Sequence, residues 1–252
     1  MRDKLFMAVS LFLVAFAEPS KKKIKVFIAG DSTAANKEIK AYPETGWGMP
    51  FAYFFDSSVT VDNRAKNGRS TRTFISEGLW QKLINDVHED DYVLIQFGHN
   101  DESKEKTDRY TTPEEYKANL SRFINETRSK KAIPILLTPV SRRQFDSTGH
   151  VKETHLVYSA LVHEVAKALQ VQLIDLDEKS RVLLQKFGPE NSKLLFMQLE
   201  VGEHPNYPEG RNDNTHFNEL GARKMAELVL TGIKELKLEL ADRIRPPLEV
   251  KK

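Results

Sequence analysis

Five short apolar runs punctuate the chain, at Ile24–Ala29, Val59–Asn63, Tyr92–Gln96, Ile133–Thr138 and Val171–Asp175. Their hydrophobicity is nearly continuous rather than alternating, the pattern of strands covered on both faces in a parallel sheet. Between them, apolar positions recur at spacings of three and four, which is the helical period. Thr112-Pro113-Glu114-Glu115 opens the plainest helix: a capping threonine, proline in the first helical position and a glutamate three residues on. Its apolar face is Tyr116, Leu120, Phe123, Ile124 and Thr127, and Arg128, Lys130 and Lys131 suit the negative end of its dipole. A second stripe runs through Phe74, Ile75, Leu79, Leu83 and Val87, a third from Leu156 to Leu169, and a last from Asn218 to about Leu238. Strands alternating with helices predict an α/β fold. One long irregular stretch stands out, from about Phe187 to Asn214, broken by Gly188-Pro189, Pro205, Pro208 and Gly210. Long loops inside compact domains are usually functional.

The first residues follow a different pattern. Arg2 and Lys4 precede an apolar run from Leu5 to Ala17 that ends Ala15-Phe16-Ala17, the order of parts of a cleavable secretory signal. The run is shorter than the roughly 20 residues of a spanning helix, so residues 1–17 are expected to be removed. Residues 18–252 then form one exported domain, periplasmic or extracellular, with no membrane anchor. Basic and acidic side chains number 38 and 36, so no global field points to nucleic acid. With no cysteine in the chain, disulfides, thiolate zinc sites and a cysteine nucleophile are all excluded.

Four polar segments carry the candidate chemistry. Ser32 follows the first apolar run in Gly30-Asp31-Ser32-Thr33, and ligands of open parallel sheets bind just past strand ends. Alone, this tripeptide reads equally well as a capped turn. Asn212-Asp213-Asn214-Thr215-His216 precedes the final helix; an aspartate three residues before a histidine in a turn lets its carboxylate hold Nδ1–H while Nε2 faces outward. Gly68, after the second run, and Asn100, in Gly98-His99-Asn100-Asp101 after the third, could join Ser32 in donating hydrogen bonds to the oxyanion of ester cleavage. Gly68 lacks a Cβ, which permits close approach or positive φ.

The set Gly30-Asp31-Ser32, Gly68, Asn100 and Asp213-x-x-His216 resembles the SGNH (GDSL-type) hydrolases. Gly98-His99-Asn100-Asp101, Thr138-Pro139-Val140-Ser141-Arg142-Arg143 and Tyr207-Pro208-Glu209-Gly210 resemble the rhamnogalacturonan acetylesterase branch, over Lys25 to about Leu238. The resemblance implies a three-layer α/β/α sandwich with a five-stranded parallel sheet. It also implies a catalytic set of Ser32, Asp213 and His216, an oxyanion hole of Ser32, Gly68 and Asn100, and removal of O-acetyl groups from pectic polysaccharide or oligosaccharide without metal or cofactor.

Trp47 could stack on a sugar ring, although a tryptophan in Thr45-Gly46-Trp47-Gly48 also suits the core. Arg69 and Arg143, with Arg72, Arg142 and Arg211, lie beside the motifs and could pair with uronate carboxylates, or form a solvated basic rim. Asp31 and His99 are expected to play local structural roles. Other readings are an esterase for xylan or sialosides, a lipid acylhydrolase and a glycan-binding module on an inactive scaffold. A metallophosphoesterase does not fit the motif order, and an α/β-hydrolase would need a second elbow glycine where Ala34 stands.

Overall fold

A computed structural model describes residues 21–246; the expected signal segment, residues 1–17, lies outside them. In chain order the elements are β1 (Ile24–Gly30), α1 (Gly48–Phe51), β2 (Val59–Asn63), α2 (Thr71–Ser76), α3 (Leu79–Asn85), β3 (Tyr92–Gln96), α4 (Pro113–Ser129) and β4 (Ile133–Leu137). There follow α5 (Leu156–Leu169), β5 (Gln172–Ile174), α6 (Leu176–Asn191), β6 (Phe196–Leu199), β7 (Arg211–Phe217) and α7 (Glu219–Glu235).

All five apolar runs enter one parallel sheet, in the order β2-β1-β3-β4-β5. Alternate side chains of each strand point to opposite faces, and each face has its own core. Val26, Ile28, Leu94, Ile135 and Leu137 pack with Phe51 of α1, Leu184 of α6 and Met225, Val229 and Ile233 of α7. Phe27, Ala29, Val93, Ile95 and Leu136 pack with Phe74, Trp80, Leu83, Phe123, Leu161 and Val165 from α2 to α5. Burial on both faces explains the unbroken hydrophobicity of β1, β3 and β4, whereas the edge strands β2 and β5 are only partly covered. The α/β/α layering matches the expectation.

The strand order places the site. From β1 the chain goes to β2 on one side and then to β3 on the other, so the two loops diverge at the carboxyl end of β1 and leave a crevice there. Gly30 is level with Gln96 and Ile28 with Asn63. The segments carrying Ser32, Gly68 and Asn100 therefore leave adjacent strands at the same end of the sheet.

Two expectations change. The Phe74–Val87 stripe is two helices, because Gly78 takes φ 69°, a left-handed conformation that ends α2 and starts α3. The stretch from Phe187 to Asn214 is more ordered than its prolines and glycines imply. Phe187 lies within α6, which is kinked at Gly188 (φ 71°), and β6 pairs antiparallel with β7. Asp213 and His216 thus sit on a paired strand, not in a turn.

Candidate active site

Ser32 stands two residues beyond β1 on a tightly tied turn. The Asp31 carboxylate accepts from the Thr33 N–H at 2.9 Å and the Thr33 hydroxyl at 2.7 Å. The Asp31 carbonyl accepts from the Ala34 and Ala35 N–H groups at 3.3 and 3.1 Å. This leaves the Ser32 side chain half-buried and turned toward β7.

There Ser32 Oγ is 2.9 Å from His216 Nε2, and His216 Nδ1 is 2.8 Å from Asp213 Oδ2. The two ring nitrogens are thus engaged on opposite sides, by a hydroxyl and a carboxylate, across 184 residues of sequence. Asp213 is itself fixed: its Oδ1 accepts from the Thr215 and His216 N–H groups at 2.8 and 3.0 Å, and its Oδ2 also accepts from Arg211 at 2.8 Å. Burial alone would raise this carboxyl, but the hydrogen bond and charge of His216, with Arg211 and the backbone donors, hold it well below the usual carboxylate range. A permanently ionised Asp213 selects the Nδ1–H tautomer, leaving Nε2 as acceptor for the serine proton.

Gly68 takes φ 73°, as its place in a tight turn requires. Neither its N–H nor that of Ser32 has an intramolecular partner among the described residues. Asn100 is 8% exposed and donates one amide hydrogen to the Arg69 carbonyl at 3.0 Å, keeping the second free. Three free donors thus border the serine turn.

A nearer histidine–aspartate pair does not compete for this chemistry. His99 Nδ1 is 3.5 Å from Asp31 Oδ2, neither His99 ring nitrogen is hydrogen-bonded, and the ring lies 4.3 Å from that of His155 in the buried layer beneath the site. Burial and His155 lower His99 to about 4, so it is neutral at neutral pH. Its role, like that of Asp31, is structural.

The expected sugar-binding residues are placed differently. Trp47 is fully buried and its indole N–H donates to Gln96 Oε1 at 2.6 Å, so no face of the ring is open to a sugar. This corrects its assignment as a stacking residue: the core needs the ring, and Gln96 satisfies its one polar atom. The Arg143 guanidinium donates to Ser192 Oγ, Asn214 Oδ1 and the Pro189 carbonyl, bracing β7 against the end of α6. Arg69 donates to the Asn67 carbonyl and to Glu77, and Arg72 and Arg142 pair with Glu115 and Glu102. A cleft of about 850 Å³ borders β7, yet its cations Arg143, Lys193 and Arg211 are matched by Glu200, Glu203 and Glu209. Lys37, unremarked in the sequence, is bound to the Ser32 carbonyl; Ser32 and Glu44 are near it along the chain, but only the fold turns its ammonium group inward onto them and onto Asn67.

A serine turn at the crevice of a doubly wound sheet, hydrogen-bonded to a histidine–aspartate pair just before the last helix, has the arrangement of a serine hydrolase of the three-layer type. The family model for the GDSL-like lipase/acylhydrolases matches residues 28–224, and the chain belongs to that family. It is 44% identical over 224 residues to the rhamnogalacturonan acetylesterase RhgT of Bacillus subtilis (strain 168), covering 89% of this chain and 95% of that one. The probable rhamnogalacturonan acetylesterase YesY of the same organism is 38% identical over 224 residues, covering 87% and 96%. Among solved structures, the Bacillus subtilis protein YxiM superposes with a TM-score of 0.73 at 25% identity, over 88% of this chain but 58% of that longer one.

Proposed function

We propose that this chain is an exported serine esterase that removes O-acetyl groups from rhamnogalacturonan, with Ser32 as nucleophile, His216 as general base and acid, and Asp213 orienting the imidazole. The observation that carries it is the alignment of Ser32 Oγ, His216 and Asp213 at 2.9 and 2.8 Å; similarity to two rhamnogalacturonan acetylesterases over nearly their whole length supports the substrate. His216 Nε2 takes the Ser32 proton as Oγ bonds to the acetyl carbonyl carbon, and the carbonyl oxygen becomes an anion facing the Ser32 and Gly68 N–H groups and the Asn100 amide. The anion collapses, the bond to the sugar oxygen breaks, and His216 returns the proton to that oxygen. Water then repeats the sequence on acetyl-Ser32, its proton passing through His216 to Ser32 as acetate leaves.

Acetate release from acetylated rhamnogalacturonan, xylan, mannan and a sialoside tests the substrate. Release from xylan alone would remove the pectic assignment and leave the esterase standing. A fluorophosphonate probe should label wild type and not Ser32→Ala; equal labelling would remove the nucleophile. Export is tested by the N-terminus of the mature protein, expected just after Ala17.

A further inference from the structure

One inconspicuous cation is bonded to the backbone of Ser32. Lys37 has a side chain only 2% exposed, and its ammonium group donates to the Ser32 carbonyl at 2.7 Å and Asn67 Oδ1 at 2.8 Å, with Glu44 Oε1 at 2.7 Å as its counter-charge. Its three N–H donors meet three acceptors. Two of those acceptors belong to the residues that carry, or immediately precede, the free N–H groups facing the nucleophile.

The geometry points to Lys37 as the positioning residue of the oxyanion hole: it locks the turn of Ser32 to the turn of Gly68, so that their two N–H groups converge on one point. Peptide planarity makes this more than proximity. The peptide unit after Ser32 is held at both ends, its carbonyl by Lys37 and its N–H by the Asp31 carboxylate at 2.9 Å. The unit before Ser32 is held through the Asp31 carbonyl, which accepts from Ala34 and Ala35, and so its N–H, that of Ser32, is turned the other way. Across the crevice, the unit that contains the Gly68 N–H has its carbonyl, that of Asn67, held by Arg69 at 2.8 Å. The Asn67 side chain is held by Lys37. The Lys66 N–H already ties the Gly68 turn to the Gly30 carbonyl at the root of the serine turn, at 3.0 Å; Lys37 adds a side-chain link nearer the tips, from the Ser32 carbonyl to Asn67.

A buried ammonium group needs all three of its N–H donors paired, and here two of the three are paired to the two turns rather than to a carboxylate. The Lys37 ammonium group acts here through hydrogen bonds rather than net charge, since Glu44 balances it at 2.7 Å. Donors misplaced by a fraction of an ångström lose much of their transition-state advantage while leaving ground-state binding intact.

This inference rests on the serine-esterase reading, and wild-type turnover of 4-nitrophenyl acetate tests that reading by itself. The ratio of variant to wild type tests Lys37. The variants are Lys37→Met, of similar length, and Lys37→Met with Glu44→Gln, which leaves no unpaired charge and is the one measured where the single change impairs folding. Active sites are titrated with a fluorophosphonate so that only competent enzyme is counted. We expect kcat per titrated site to fall about 10- to 100-fold with KM within about twofold. Affinity for a small alkylboronic acid, whose tetrahedral adduct with Ser32 places an oxygen in the hole, should weaken in parallel. A purely structural role would not move that affinity once sites are titrated. Unchanged kcat, a fall in kcat without weakened boronate binding, or a rise confined to KM would each overturn the assignment.

Discussion

Replacing Asp213 with asparagine isolates the tautomer argument from the rest of the site. The carboxylate accepts four hydrogen bonds, two on Oδ1 from the Thr215 and His216 backbone and two on Oδ2 from His216 Nδ1 and Arg211. An amide has one accepting oxygen. Keeping the two backbone bonds on that oxygen puts the NH₂ group against His216 Nδ1, which must then become an acceptor. The ring proton moves to Nε2, where it faces Ser32 Oγ and cannot accept the serine proton. Equivalent changes in Ser-His-Asp sites cost about 10⁴ in kcat, or about 5 kcal/mol at 1.36 kcal/mol per tenfold. Folding should change far less than turnover, because both backbone bonds persist and the Arg211 pair that is lost is open to solvent at one end, Arg211 being 41% and Asp213 12% exposed. Turnover of 4-nitrophenyl acetate and the thermal midpoint are measured on the same preparation. A folded Asp213→Asn enzyme with kcat within about tenfold of wild type would refute the assigned role of Asp213.

Three further outcomes follow from the same geometry. Asn100→Ala should lower kcat by about 10²–10³ while leaving the melting temperature near wild type; full activity would place the third donor elsewhere. Asp101 is fully buried and burial raises it to about 7, although the Thr71 N–H and hydroxyl both bond its Oδ1. The folded protein therefore holds a proton there that the unfolded chain has lost above its ordinary value of 3.8, so the Asp101 contribution to stability falls as pH rises from about 4 to about 7, against the rising contribution of His99, lowered from 6.5 to about 4. Asp101→Asn should remove the falling part, so that the melting temperature relative to wild type climbs with pH across the range; a pH-independent difference would assign the dependence to another group. Trp47→Ala should destabilise by about 3–5 kcal/mol in urea unfolding, the range for a buried large ring. A loss below about 1 kcal/mol would mean the ring is not a core residue.

Some features were legible because their causes are local. The Thr112 cap forms as read: its hydroxyl accepts from the Glu115 N–H and the Glu115 carboxylate from the Thr112 N–H, three residues away. The three central strands were readable because burial on two faces demands runs of apolar residues whatever their neighbours, and the edge strands β2 and β5 by their β-branched and aliphatic residues. β6 and β7 escaped notice because Arg211–Phe217 is almost wholly polar, and its ladder exists only through pairing with Phe196–Leu199. The stripe from Phe74 to Val87 concealed its break because the hydrophobic period survives a change of helix at Gly78, where only the backbone angle reveals it.

The site divides along the same line. Residue types and chain order alone determined that a serine after the first strand, a glycine after the second, an asparagine after the third and an Asp-x-x-His before the last helix could form one constellation. Such motifs are short, and their chemistry requires particular atoms. Only the tertiary structure decided which polar groups are free to act. It put Trp47 inside, engaged Arg69 and Arg143 with protein partners, set His99 aside in favour of His216, and raised Lys37 from an unremarked cation to a link between two turns. Burial and hydrogen-bond partnership depend on distant residues, Ser32 and His216 being 184 positions apart, and no pattern along the chain records them.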